Sequence, residues 1–242
     1  MKLGIMQPYL FPYIGYFQLI KEVDLYVLTG DLQYIRHGWI NRNQIFVDGT
    51  SSNIHYFSFP IVDDDYKLAI NQREYKDYSG SCNKLYKQLK IAYGKSINFS
   101  EGMDVIFEAL RNDSVNVAEV NIHSVRVIAK YLGIDTKIYA TDEYEELEIR
   151  KEFIKKGQTE RIIYLCQYYK ADTYINAIGG RKLYSSCDFD KYNINLGFLV
   201  GERCPYNQNG KQFVDKLSII DVIMNNKLSD TKRMIDKYVV QY

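Results

Sequence analysis

The chain has 242 residues, 46% hydrophobic and 25% charged, which is enough for one large core and typical of a folded globular protein. Its 31 basic and 30 acidic side chains leave a formal net charge of +1, without the basic excess expected of a nucleic-acid partner. The cysteines (Cys82, Cys166, Cys187, Cys204) and histidines (His37, His55, His123) form no CxxC pair and no metal-like grouping, so neither a zinc site nor a disulfide framework is expected.

The first twenty residues, MKLGIMQPYLFPYIGYFQLI, read as a buried strand (Leu3 to Met6), a proline- and tyrosine-rich loop, and a helix over about Gly15 to Glu22. No signal peptide is read in them, because the apolar stretch is short and broken by proline and tyrosine. No run reaches the roughly 18–20 apolar residues of a membrane span, so a cytoplasmic protein without membrane insertion is expected. A strand follows at 24–30, then a polar and aromatic stretch at 31–43, then alternation over 45–62 about Asp48-Gly49 that predicts a β-hairpin. Helical spacing is predicted over 82–93, 103–111 and 114–132. Further on come a strand at 135–141, a helix at 157–171 and strands at 172–180 and 193–201. Ser218 and Asp221 are spaced as a capping box for a helix at 217–226, and a last helix is predicted over about Asp230 to Val240. Strands alternating with helices imply an α/β fold. We expect a mainly parallel, Rossmann-like sheet in a single domain over 1–242, with a helix-rich insertion or lid at 75–132.

In such folds ligands bind where the loop leaves the carboxyl end of a strand. The first loop and helix start carry Gln7, Tyr9, Tyr13 and Tyr16, which can stack on a ring and hydrogen-bond. The 31–43 stretch adds Gln33, Tyr34, Arg36, His37, Trp39, Asn41, Arg42 and Asn43. Guanidinium forks there suit phosphate, so Arg36 and Arg42 are expected to hold a diphosphate while Trp39 or Tyr34 stacks on a base or sugar. YINAIGGRKLY repeats the strand–loop–helix layout, with Asn176, Gly179, Gly180 and Tyr184 as a pocket wall and a helix expected near Arg181. The abundance of tyrosine (23, against 11 phenylalanines and one tryptophan) suits ligands with apolar and hydroxylated faces.

QPYLFPYIGYFQLI (7–20), GDLQYIRHGWINRNQI (30–45), YINAIGGRKLY (174–184), PYNQ (205–208) and FVDKLSIIDVIM (213–224) together resemble the WbqC-like family, in one order over nearly the whole chain. The resemblance implies a place in O-antigen or other surface-polysaccharide clusters, and acyl or aminoacyl transfer to an amino sugar. It also adds Tyr206 and Gln208 to the binding set. The reading is therefore an acyltransferase forming an amide on a nucleotide-linked amino sugar. Its donor would be a thioester on coenzyme A or an acyl-carrier protein, with no tightly bound cofactor and no metal. His123 or His37 would be the base, and Asn176 or the Gly179/Gly180 amides would serve the oxyanion. The sugar, the acyl group and the oligomeric state, a homodimer included, are left open. A looser resemblance links the first loop to HIGH-motif nucleotidylyltransferases, with Tyr13-Ile14-Gly15-Tyr16 at the motif position. Tyrosine there carries no charge to offset a leaving phosphate, and Asp63-Asp64-Asp65 reads as a solvated loop, not a metal site. The remaining alternative is a non-catalytic nucleotide-sugar binding protein.

Overall fold

The structure is a computed structural model and describes residues 1–47, 54–63, 65, 67–140, 147–208 and 212–242. In chain order the elements are β1 (Lys2–Met6), α1 (Ile14–Glu22), β2 (Leu25–Leu28), β3 (Arg42–Phe46), β4 (Ile54–Ser58), α2 (Tyr78–Tyr93), α3 (Phe99–Leu110), α4 (Val117–Tyr131) and β5 (Lys137–Ala140). They continue as α5 (Leu147–Lys155), α6 (Gln158–Tyr169), β6 (Thr173–Ala177), α7 (Ser186–Asp190), β7 (Asn195–Gly201), α8 (Ile219–Asn225), α9 (Leu228–Ile235) and β8 (Tyr238–Gln241).

The main sheet has the order β5-β2-β1-β6-β7-β8, with the first five strands parallel and β8 antiparallel to β7. The expected α/β fold with a mainly parallel sheet is what the chain adopts. The central strands are apolar on both faces because each face is covered by helices. Leu3, Ile5, Leu25, Val27, Tyr174 and Leu196 point to one side, where they meet Phe153 of α5, Ile162 and Cys166 of α6 and Phe189 of α7. Tyr26, Leu28, Ile175 and Leu199 point to the other, the period-two alternation of a strand dividing one sheet between two cores. That second core contains Phe17 and Ile20 of α1, Leu85 and Leu89 of α2, Ile106 of α3, Val125 of α4 and Ile223 of α8. The helix-rich stretch 75–132 thus supplies α2, α3 and α4, and these helices bury their apolar faces in the same cluster as α1 and α8.

β3 and β4 form the predicted hairpin, antiparallel from Arg42↔Ser58 to Phe46↔Ile54; its Asp48-Gly49 turn lies outside the described residues. Three expectations are corrected. The last helix stops at Ile235, and Tyr238–Gln241 instead pairs with β7 (Leu199↔Val240, Val200↔Val239). The β-branched pair there meets a strand edge that would otherwise lack hydrogen-bond partners. After β6 the chain makes a 3-10 turn at Ile178–Gly180, and the next α-helix begins at Ser186 rather than near Arg181. Ser218 caps α8 by accepting from the Ile220 amide at 3.3 Å, but the reciprocal half of the capping box is not made. Instead, the Ser218 amide donates to the Gln44 carbonyl, and Asp221 has other partners.

Candidate functional site

β2 and β5 lie on one side of β1, and β6 and β7 on the other, so the loops leaving β1 and β6 part at their carboxyl ends. The crevice between them is a cleft of about 600 Å³. Gln7, Tyr9 and Tyr13 enter it from the first loop, and Gln33 from the segment after β2. Asn176, Gly179, Gly180 and Tyr184 line it from the β6 loop, and Gln158 and Arg161 from the first turns of α6. A smaller annexe of about 160 Å³ shares Tyr9 and Tyr13 and adds Pro12, Trp39, Asn43 and Lys216.

The first loop is held rigid by buried side chains that satisfy its carbonyls, which water cannot reach. Asn43 donates to the Phe11 carbonyl at 2.7 Å, and Ser218 Oγ donates to the same oxygen at 2.8 Å. Asn121, fully buried on α4, bridges the Pro8 carbonyl at 3.0 Å and the Ile40 carbonyl at 2.7 Å. The Tyr16 hydroxyl donates to the Gln7 carbonyl at 2.9 Å. These clamps hold Phe11 at φ 46°, in the left-handed region that a bulky residue rarely adopts. Gly15 lets the Tyr13 ring lie on the start of α1, since a Cβ there would stand 2.4 Å from the ring. Burial pushes the Tyr9 and Tyr13 hydroxyls above the ordinary phenol value, so both remain neutral donors at physiological pH.

Arg161 is the sole charged side chain among the described residues lining the cleft. Its Nη2 donates to the Ile154 carbonyl at 3.1 Å and its guanidinium lies 5.8 Å from the Phe153 ring centre, yet Nε is buried without a partner, and no ion pair among the described residues includes Arg161. Asn176 is 6% exposed; its Oδ1 accepts from the Ala177 amide at 2.8 Å, which leaves the Nδ2 protons for the cleft. The lining thus combines one cation with neutral amides and phenols. It suits a hydroxylated ligand carrying an anionic group, while the annexe offers aromatic faces for stacking. No described carboxylate or imidazole lines it.

Other sequence-predicted residues lie elsewhere. Tyr16 is buried beneath the loop. Trp39 and Asn43 reach only the annexe, whereas Tyr34, Arg36, His37, Asn41 and Arg42 line a separate pocket. The first loop and the tryptophan–arginine segment therefore share a wall only at Trp39 and Asn43. His123 sits between α4 and α3, its Nε2 3.1 Å from the Glu108 carbonyl, away from the cleft. Tyr206 and Gln208 are turned inward onto Asp221, at 2.6 and 2.9 Å. Asp63 is exposed, and Asp64 lies outside the described residues. Burial raises the Cys82 thiol and pushes Cys166 up to about 12, which keeps both protonated and poorly nucleophilic. Sequence reasoning missed Arg161 and Asn121. Arg161 had a signal: a cation at the end of a helix's first turn opposes the macrodipole, an arrangement expected where an anion binds.

No group of three or more His, Cys, Asp or Glu among the described residues is placed to hold a metal ion, and no described helix is long and apolar enough to cross a membrane. The sequence profile of the WbqC-like protein family matches residues 7–233. The chain is 28% identical over 228 residues to the uncharacterized protein Rv1507c of Mycobacterium tuberculosis, an alignment covering 93% of each chain. No solved structure matches it.

Proposed function

For this chain, which belongs to the WbqC-like family, we propose that the cleft between β1 and β6 binds a nucleotide-linked amino sugar and that the protein acylates its amine from a thioester. The observation that carries this reading is the guanidinium of Arg161, which has no ion-pair partner among the described residues, in a cleft whose other described lining residues carry amides, phenols, a hydroxyl or apolar groups. Arg161 and the start of α6 take the phosphates, Gln7, Gln33, Gln158 and Asn176 bond the sugar hydroxyls, and the Tyr9–Tyr13–Trp39 annexe stacks the base. The donor is an acyl or aminoacyl group on coenzyme A or a carrier protein, in the cytoplasm.

The chemistry asks little of the protein. The neutral amine attacks the thioester carbonyl, the C–S bond of the tetrahedral intermediate breaks, and the departing thiolate takes the nitrogen's proton to leave an amide and a thiol. Holding the amine against the carbonyl supplies most of the acceleration, and Asn176 Nδ2 stabilises the oxyanion. Because no imidazole lines the cleft, this scheme gives the proton to the leaving sulfur rather than to His123 or His37.

The test is a thermal-shift and calorimetric titration with nucleotide-linked amino sugars, followed by incubation with acyl-coenzyme A or acyl-carrier protein and mass spectrometry for the amide. Arg161→Gln should weaken binding about 10-fold or more, the loss of one charge-assisted hydrogen bond. Equal affinity in the variant, or no binding by the wild type, would sink the assignment. Binding without product from either donor would favour a non-catalytic nucleotide-sugar binding protein.

A further inference from the structure

The segment 32–37 separates two cavities. Leu32, Gln33 and Ile35 line the cleft, while Tyr34, Arg36 and His37 line a pocket of about 260 Å³, closed by Asn41, Arg42 and Arg73. Three guanidinium groups therefore surround one small space that the proposed reaction does not use.

Arg73 is the unusual member. It is 3% exposed and sits just after the 3-10 turn Ile70–Gln72. Its Nη2 donates to the Asp65 carbonyl at 2.7 Å and its Cζ lies 4.8 Å from the centre of the Tyr34 ring, but Nε is buried with no partner. None of the ion pairs among the described residues includes Arg73 or Arg42. Arg42 donates to the carbonyls of Gly38 (3.0 Å) and His37, and its guanidinium lies over the Tyr56 ring at 5.3 Å. Among the described residues, Arg36 is the one of the three that pairs with a carboxylate, Asp63 at 3.5 Å, and both side chains are largely exposed, so that pair neutralises little. The Asp65 carboxylate is engaged by the Lys67 amide at 3.0 Å.

A buried guanidinium without a counter-charge is expensive, and a fold retains one where a ligand supplies the missing anion. Three guanidinium charges, with one exposed carboxylate paired to them among the described residues, match a doubly charged group, and their planar forks match phosphate oxygens. We propose that the Arg36–Arg42–Arg73 pocket is a second anion site, separate from the cleft, that binds a phosphate or diphosphate group of a small molecule. Asn41 is fixed beside it by accepting from the Tyr34 hydroxyl at 2.7 Å and donating to the Phe59 carbonyl at 2.8 Å, so the ring against which Arg73 packs is itself held in place.

The experiment is calorimetric titration of the full chain with inorganic diphosphate and, in a second arm, with UDP, at constant ionic strength. Arg36→Gln, an exposed change that leaves the core intact, is expected to weaken diphosphate binding about ten-fold. Arg73→Lys, which keeps the charge but loses the fork, is expected to weaken it by a similar factor. Arg161→Gln should remove only the diphosphate binding that belongs to the cleft, and the binding that depends on Arg36 and Arg73 should persist in it. Tighter binding of UDP through the same two arginines identifies a nucleoside diphosphate as the source; equal binding identifies the anion itself. Unchanged diphosphate affinity in Arg36→Gln and Arg73→Lys, absence of binding to the wild type, or loss of all binding in Arg161→Gln would overturn the second site.

Discussion

Replacing Tyr206 by phenylalanine tests the most heavily loaded polar group in the core. Asp221 on α8 is fully buried and accepts from the Tyr93 hydroxyl at 2.6 Å, the Tyr206 hydroxyl at 2.6 Å and Gln208 Nε2 at 2.9 Å, with no ion pair to any cation among the described residues. Burial raises its carboxyl above the ordinary value, while the three donors act in the opposite direction and stop the rise short. Because the folded value lies above the unfolded value of about 3.9, the folded state binds the extra proton. Its contribution to stability is complete below about pH 4 and is lost as pH rises through the folded value. Tyr206→Phe keeps the ring and removes one donor. With the carboxylate ionised the loss is about 1.5–3 kcal/mol, and with the neutral acid about 0.5–1.5 kcal/mol. The variant also raises the folded value further, so its deficit relative to the wild type grows with pH. Urea unfolding followed by circular dichroism at pH 4 and pH 7.5 measures both deficits. A deficit that is the same at the two pH values, or smaller at pH 7.5, would refute the reasoning.

Two further outcomes follow from single contacts. Gly180→Ala places a methyl 2.4 Å from Asn176 Nδ2, so the amide must rotate and give up its bond from Ala177. The expected loss is about 1 kcal/mol of stability, together with weakened ligand binding in the cleft. A double-mutant cycle with Asn176→Ala should be non-additive, and additivity would show that the two side chains do not meet. Among the thiols, exposed Cys187 should react with iodoacetamide in the native protein at pH 8, while Cys166, buried and pushed up to about 12, should react only on unfolding; peptide mass spectrometry distinguishes them.

Local pattern made much of the site legible. Gln7, Tyr9 and Tyr13 were recognisable because a buried strand breaks into a proline–aromatic loop, and Asn176, Gly179, Gly180 and Tyr184 because the same layout recurs after a second strand. The two groups share one cleft because β1 and β6 are neighbouring parallel strands whose loops leave at the same end. Gly15 and Gly180 were visible only as turn residues; what made them matter was the Tyr13 ring and the Asn176 amide that came to rest on them. The segment 31–43 shows where such reading fails. Its composition promised one ligand wall, but between β2 and β3 the chain runs through turns and bends that send neighbouring side chains to different sides. Gln33 went to the cleft, Tyr34 and Arg36 to another pocket, and Asn43 to pinning a loop some thirty residues earlier.

By itself, then, the order of residues determined the α/β class, most strands and helices, and the two loops that line the cleft, because these depend on periodicity and turn chemistry within a few positions. Tertiary structure alone decided which strands are neighbours, that 238–241 closes the sheet as a strand, and that Arg161 stands in the cleft. It likewise decided that Tyr206 and Gln208 serve Asp221 and that Arg73 is buried with no ion-pair partner among the described residues. Each of these turns on partners distant in the chain, and a polar side chain's role is set by whichever unsatisfied group the fold brings within hydrogen-bonding reach.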